Sequence, residues 1–194
     1  MNPFRAWRRT ENDWFPVGLT SSFPDLDDTT ALSSPRPCTG LPAPTPGCKA
    51  FHVPKDDPSK RQEVPIAEDA PASDTGADLD LDLTDQVLVF RYRGKVHAID
   101  HQCPHSSFPL SKGAPFDIED FGIVLSAGVT CPKHGWSFDL FSGRSDRGNY
   151  RLKVWEVELR EVGGGQVVKG AVGEGEGAEE VVREVWVRRK PRMG

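Results

Sequence analysis

The sequence lacks several features that mark common functional classes. No apolar run approaches the ~20 residues that a membrane-spanning helix needs, and a formal net charge of −5 argues against a nucleic-acid-binding surface. No apolar stripe with the spacing of a long helix is present, which argues against an all-α fold. We therefore expect neither a membrane nor a nucleic acid among the partners.

Cysteine and histidine are scarce, and the cysteines are Cys38, Cys48, Cys103 and Cys131. The start, "MNPFRAWRRT", lacks the apolar segment of a secretory signal, so the cysteines are expected to be metal ligands or free thiols rather than disulfides. Cys38 and Cys48 are expected to be free thiols. The prediction is a reducing, cytoplasmic location, and the arginines near the start leave a mitochondrial one open.

We expect a single domain over residues 1–194, made of an elaborated N-terminal region, a core and a set of C-terminal strands, at residues 1–85, 86–160 and 161–194. The N-terminal region contains two loop insertions. Residues 21–47 are rich in proline, serine and threonine. Residues 54–85 are polar, and every charged residue from Glu68 to Asp85 is acidic.

Short apolar runs separated by turn residues predict an all-β fold. "QVLVFRYRGKVHAID" predicts a hairpin that turns at its glycine, and "LKVWEVELR" alternates apolar with charged residues. "GIVLSAGVT" and "WSFDLFSGR" flank a further turn in the same way. Strands this short, with turns this frequent, are typical of an antiparallel β sandwich or small barrel.

Two of these turns carry the residues with the most distinctive chemistry. The loops at 101–110 and 129–139 contain Cys103-Pro-His105 and Cys131-Pro-Lys-His134. These residues could be unrelated, but half of the cysteines falling in two matched turns disfavours that. They could hold a structural Zn²⁺, or a [2Fe–2S] cluster in which two histidines replace two cysteines on one iron.

Cys103-x-His105 and Cys131-x-x-His134, the second followed by "GWSFD", resemble the motif of the Rieske family. The resemblance extends over about residues 86–160, and "NDWFPVGLT" is similar to the family's opening strand. It implies a Rieske-type β sandwich or barrel with a cluster-binding subdomain of two loops and a [2Fe–2S] cluster. Cys103 and Cys131 would hold the inner iron, and His105 and His134 the outer iron. The segment between the loops is longer than is common in the family, and the extra length is expected around "APFDIEDFG".

The resemblance also indicates which kind of Rieske protein to expect. Family members of cytochrome bc complexes join the two loops by a disulfide, where this chain has Phe108 and Lys133. They also donate hydroxyl hydrogen bonds to the cluster after the second loop, where this chain has Trp136 and Phe138. We therefore expect a soluble ferredoxin-type or oxygenase-type domain, with a potential in the lower part of the roughly −150 to +300 mV range of such clusters.

The expected function is that of a carrier of single electrons between a soluble reductase and an acceptor protein, an oxygenase being one such acceptor. No histidine follows His134, and no G-x-G-x-x-G opens a βαβ unit, so the chain offers no evident catalytic site of its own. The alternative is a redox-sensing or zinc-binding interaction module. His101 is expected at the surface or beside the ligands, and Trp136 and Trp155 in the core or covering the cluster.

Overall fold

The computed structural model describes residues 13–26, 31–36, 45–66, 82–163, 167–168 and 181–190. Over these ranges the chain forms β-strands and short 3-10 turns but no α-helix, and none of its helical turns is long and apolar enough to cross a membrane. The all-β prediction is confirmed. The strands are β1 Phe15–Leu19, β2 Asp25–Leu26, β3 Pro35–Arg36, β4 Thr45–Pro46, β5 Cys48–His52, β6 Gln62–Val64, β7 Gln86–Tyr92, β8 Lys95–Asp100, β9 Ala114–Asp120, β10 Ile123–Cys131, β11 Trp136–Asp139, β12 Glu156–Glu161, β13 Val167–Val168 and β14 Arg183–Arg188.

The sheet built around β7 is central to the arrangement. β8 pairs with β7 along one edge, and β5 pairs with it along the other, with β6 outside β5. β2 runs parallel to the last two residues of β7. The predicted hairpin is confirmed, and its two-residue turn, Arg93–Gly94, has positive φ at both positions. Glycine at the second of these positions suits a type I′ turn, whose twist matches that of the strands.

β7 contributes side chains to two separate cores. Its residues Val87, Leu88, Val89 and Phe90 are all fully buried, and successive side chains along a strand point to opposite faces. Leu88 and Phe90 pack in a core that also contains both cysteines of the paired loops, together with residues from β10 and β11. Val87 and Val89 pack in a second core. This continuous apolar run is therefore a strand buried on both faces.

The second core lies against a four-stranded sheet in the order β1-β14-β12-β13. Phe15 and Val17 of β1, Val185 of β14, and Trp155 just before β12 are buried in it. The indole N–H of Trp155 donates to Asp100 at the end of β8. That hydrogen bond joins this sheet to the strand that leads into the first of the two Cys/His loops.

The first core is closed by a three-stranded sheet in the order β11-β10-β9. The sequence around "APFDIEDFG", predicted to hold extra length, forms β9 and the turn of the β9–β10 hairpin. Its turn is Phe121–Gly122, both with positive φ, and its outer end is exposed, with Phe121 99% accessible. The extra length extends the hairpin away from the loop that connects β10 to β11.

The N-terminal region contains more strand than its composition indicated. β2, β3 and β4 lie inside the segment 21–47, which was expected to be loop, and β6 lies inside the segment 54–85. Strands of two or three residues are too short to show a period in the sequence. Most of the acidic stretch within 54–85, like Cys38, lies outside the described residues.

His97 in β8 is a buried imidazole, and it predicts a loss of stability in mild acid. Its ring stacks on Phe90 at 5.6 Å and meets Phe141 edge-on. Burial, assisted by the charge of Lys95 and opposed by Asp139, lowers the pKa of His97 to about 4. Below its ordinary pKa of about 6.5 the unfolded chain binds a proton that the folded protein does not, so stability falls as the pH drops from about 6.5 towards 4.

We expect His97→Phe, which retains an aromatic ring against Phe90, to remove this contribution. At about pH 5.5 the contribution is on the order of 1 kcal/mol, or roughly 2–4 °C in melting temperature for a chain of this size. Thermal melts at about pH 7.5 and pH 5.5 measure it as a smaller acid-induced drop in the variant. Equal drops in both proteins would contradict it.

Candidate functional site

The first Cys/His loop is a compact turn closed at its base by backbone hydrogen bonds. Gln102 and Pro109 form an isolated β-bridge, and the Cys103 N–H donates to the Phe108 carbonyl at 2.9 Å. The Ser107 N–H donates back to the Cys103 carbonyl at 2.9 Å, with Ser107 at positive φ. Within this turn the Cys103 side chain is buried, only 1% exposed, and the His105 side chain is half-buried.

The second Cys/His loop is the tight turn between β10 and β11. Cys131 is the last residue of β10 and pairs with Trp136, the first of β11. The Gly135 N–H donates to the Cys131 carbonyl at 3.0 Å, and Gly135 has a φ of +67°, which favours glycine. The turn leaves Cys131 buried and His134 exposed at its tip.

The two cysteines of these loops lie in contact with one another. A hydrogen bond from the Cys131 thiol lowers the pKa of Cys103, against the opposing effect of burial and with smaller contributions from Ser106 and from backbone N–H groups. The same bond, together with burial, raises the pKa of Cys131. The Ser106 hydroxyl lies 3.7 Å from the Cys131 sulfur. One sulfur of the pair is therefore prepared to ionise, and thiolate is the form that binds metal.

The two histidines of these loops are also adjacent. The rings of His105 and His134 are 5.1 Å apart, nearly perpendicular. The Nδ1 atom of His105 is buried and has no hydrogen-bond partner among the described residues. A buried ring nitrogen without a partner costs free energy, and binding a metal at that nitrogen would satisfy it. The residues present therefore fit a metal group at this point.

The arrangement is a pair of sulfurs and a pair of imidazoles. Over the described ranges, no group of three or more histidine, cysteine, aspartate or glutamate side chains is gathered around one point as a single metal ion would need. A binuclear cluster needs a different pattern of ligands, with two for each iron. The structure places the four predicted residues in two like pairs at the ends of two neighbouring loops.

A third segment, residues 141–151, lies against the histidine end of the site, and no motif in the sequence predicts this contact. Trp136 stacks on His105 with ring centres 4.4 Å apart, and Tyr150 meets both rings edge-on at 5.1 Å. Gly148 approaches so closely that a Cβ there would lie 2.8 Å from Trp136. Residues 105 and 150 are far apart in the sequence, so no local pattern connects them. The segment "RGNYR" combines turn-forming residues with one aromatic side chain, and this is the one signal in the sequence that could have indicated a loop near the site.

Phe108 and Lys133 face each other across the two loops. The Lys133 ammonium lies 5.9 Å from the centre of the Phe108 ring, within the range of a cation–π contact. These are the positions at which the resemblance predicted that no disulfide could form. The loops are joined there by a non-covalent contact.

His101 is buried rather than at the surface. Its Nδ1 lies 2.8 Å from the side-chain oxygen of Gln86, and its Nε2 lies 2.9 Å from the Ser111 hydroxyl. Both ring nitrogens are thus occupied, and His101 ties β7 to the 3-10 turn after the first loop. The expectation that it lies beside the ligands, rather than among them, agrees with these contacts.

Cys48, in contrast, lies apart from the site as a free thiol. It is buried in β5 opposite Phe90, and burial raises its pKa. A thiol of this kind is packed as a small apolar side chain and is chemically inert. The expectation of a free thiol at Cys48 agrees with the structure.

Comparison with known families identifies the part of the chain that carries the site. Residues 62–156 match the family model described as the Rieske [2Fe-2S] domain. This range includes both Cys/His loops and the segment 141–151 that covers them. It begins earlier than the resemblance in the sequence indicated, at β6.

Several curated proteins are similar to part of the chain. The chain is 41% identical over 59 residues to apoptosis-inducing factor 3 of Homo sapiens, covering 30% of this chain and 8% of that protein. It is 28% identical over 78 residues to 4beta-methylsterol monooxygenase of Methylococcus capsulatus (34% and 19%), and 36% identical over 73 residues to cholesterol 7-desaturase of Xenopus laevis (37% and 14%). The matches span less than a fifth of each relative.

A comparison with solved structures also finds a protein from Mycobacterium tuberculosis described as the small subunit of an NADH-dependent nitrite reductase. It is 21% identical, covers 55% of this chain and 75% of its own, and has a TM-score of 0.36.

Proposed function

Because residues 62–156 match the Rieske [2Fe-2S] domain model, we propose that this chain is an electron carrier whose cluster is held by Cys103 and Cys131 on one iron and by His105 and His134 on the other. The observation that carries the proposal is the pairing of side chains in the folded molecule. Sulfur lies against sulfur, ring lies against ring, and a buried His105 nitrogen has no hydrogen-bond partner in the part of the chain that the structure describes.

The side chains of the site differ in what they contribute. When bound, the cluster supplies one-electron oxidation and reduction. Cys103 and Cys131 anchor it at the core side as thiolates, in a region from which water is excluded. His105 and His134 bind as neutral imidazoles, which add no negative charge, and the exposed His134 places this end of the site at the surface. Electrons are therefore expected to enter and leave at the histidine end.

The remaining histidines do not supply a second iron site within these residues. A mononuclear iron of the oxygenase type needs two histidines and a carboxylate. Beyond His105 and His134 the chain has only His52, His97 and His101. His101 has both nitrogens occupied, and His97 lies between two phenylalanine rings. We therefore propose that the chemistry takes place on a partner, which accepts electrons from this chain.

Metal analysis and spectroscopy of the purified protein test the proposal. We expect a red-brown protein with about two irons and two sulfides per chain. Reduction with dithionite should partly bleach the colour and give an EPR signal with an average g value below that of the free electron. Colourless protein with one zinc per chain would overturn the proposal in favour of a structural metal site.

Ser106 predicts a measurable effect on the reduction potential. Its hydroxyl contacts the Cys131 sulfur, and a hydrogen bond to a cluster ligand stabilises the more negatively charged reduced state. Ser106→Ala is therefore expected to lower the midpoint potential by about 20–60 mV, equivalent to roughly 0.5–1.5 kcal/mol. Redox titration followed by EPR measures the shift.

Two variants of the same loop serve as controls for Ser106. Ser106→Thr keeps the hydroxyl and should restore most of the potential. Ser107→Ala changes an exposed neighbour and should leave the potential close to that of the wild type. A Ser106→Ala protein with unchanged potential would show that the hydroxyl does not act on the site.

A further inference from the structure

We propose that the surface around His105 and His134 is a basic docking face, made of Lys133, Arg144, Arg147 and Arg151, and that its partner is a redox protein with an acidic face. The inference rests on the proposed function, since it concerns the surface through which electrons would pass. Its basis is a local charge opposite in sign to that of the whole chain.

The sequence of the three segments that build the site shows this contrast. Residues 101–110, 131–136 and 141–151 contain the four cations of the basic face and a single carboxylate, Asp146. The chain as a whole has a formal net charge of −5. Positive charge is therefore concentrated at the end of the molecule where the histidines lie.

Two of the cations lie directly at the site. Lys133 is exposed in the turn between Cys131 and His134, with its ammonium against Phe108. The Arg147 guanidinium donates to the Gly135 carbonyl at 2.5 Å and lies 5.4 Å from the centre of the Trp136 ring. Asp146 pairs with Arg147 at 3.1 Å and offsets part of its charge.

The other two cations extend the basic face alongside Tyr150. Arg144 and Arg151 are bridge partners in the segment 141–151, and both are exposed. Arg151 directly follows Tyr150, whose ring contacts His105 at 5.1 Å. The half-exposed Tyr150 ring, 43% accessible, thus lies among the cations. An aromatic side chain surrounded by positive charge is a common composition for a protein interface.

The opposite end of the β9–β10 hairpin carries negative charge. Glu119 and Asp120 are exposed there beside Phe121, and no Lys or Arg occurs from Ala114 to Leu125. The length of β10 separates this tip from Cys131 by ~25 Å, at ~3.3 Å per residue. An approaching acidic protein would be attracted to one end and repelled from the other, so that productive encounters are favoured.

The charge of the face can be probed with small oxidants of opposite charge. Dithionite-reduced holoprotein, freed of reductant, is mixed in a stopped-flow instrument with hexacyanoferrate(III), an anion, or with tris(phenanthroline)cobalt(III), a cation. One electron leaves the reduced protein, giving hexacyanoferrate(II) or the cobalt(II) complex. If the local face governs the encounter, added salt slows oxidation by the anion and speeds oxidation by the cation. If the net charge of the chain governs the encounter, added salt instead speeds oxidation by the anion and slows oxidation by the cation.

Charge-reversal variants locate the effect. The double variant Lys133→Glu/Arg151→Glu should slow oxidation by the anion about threefold or more at low salt and speed oxidation by the cation. Glu119→Lys, at the distant hairpin tip, changes the charge of one residue by as much as each substitution of the double variant does. It should leave both rates within about 1.5-fold of the wild type. Its response distinguishes local charge from net charge.

The outcomes separate this proposal from the one on which it rests. Protein that dithionite does not bleach would overturn the proposed function, and the docking face with it. Protein that bleaches normally, but whose oxidation by the anion accelerates with salt or is unchanged in the double variant, would overturn the docking face alone. The docking face is supported if the wild type shows the expected salt dependence, the double variant loses it and Glu119→Lys keeps it.

Discussion

Cys131→Ser is expected to yield a colourless protein with less than about a tenth of the iron of the wild type. The thiol lies against Cys103 in the buried part of the site, and a serine hydroxyl is far less acidic and a much poorer iron ligand than a thiolate. Since metal binding and folding are linked, the melting temperature should fall as well. Iron and sulfide analysis, the visible spectrum and a thermal melt measure these effects.

Cys48 provides a matched control for that experiment. It too is a free, buried cysteine, but it lies in β5, away from the paired loops. Cys48→Ala removes a thiol from the same core and should lose some stability, while the iron content and spectrum stay those of the wild type. A Cys131→Ser protein that keeps the full spectrum, or a Cys48→Ala protein that loses it, would contradict the ligand assignment.

Gly143→Ala is expected to destabilise the protein by about 3 kcal/mol, which is large for the addition of one methyl group. Gly143 has a φ of +71°, and a Cβ there would lie 2.0 Å from the Leu152 carbonyl oxygen. That backbone cannot move freely, because the Leu152 N–H donates to the Gly143 carbonyl at 2.8 Å. These residues close the segment that carries Tyr150 against His105. A melting temperature lower by roughly 6–12 °C is the expected measurement.

Gly163→Ala separates the two causes of that effect. Gly163 has a similar φ of +75°, but no atom of the described residues lies within 4 Å of the position its Cβ would occupy. The variant should therefore lose only the cost of the backbone conformation, about 1 kcal/mol. Equal losses in the two variants would show that the close approach to Leu152 adds nothing.

The parts of this molecule that could be predicted from sequence are those encoded over a few residues. The β7–β8 hairpin follows from two apolar runs joined at Gly94, and the Cys/His turns follow from their spacing and from the glycine at position 135. Each of these features lies within one short segment, where residue type and backbone conformation are directly connected. The all-β fold follows from their repetition along the chain.

The features that could not be predicted depend on contacts between distant segments. Tyr150 reaches His105 only because the segment 141–151 folds back along β11, and no local pattern indicates that path. In the sequence, His101 is a histidine two residues before Cys103 without a predicted role. In the folded chain it is buried, and its ring nitrogens contact Gln86 and Ser111. Its environment is set by side chains 15 and 10 residues away, on elements whose packing the sequence does not specify locally.

The alternation of side chains along β7 has a consequence for how the protein loses its structure. Because β7 contributes side chains to both cores, we expect that neither core unfolds while the other stays folded. Trp155 belongs to one core, and the cysteines of the site belong to the other. Fading of the visible colour and the loss of the β-sheet signal in circular dichroism should therefore follow a single curve on heating, as one cooperative event.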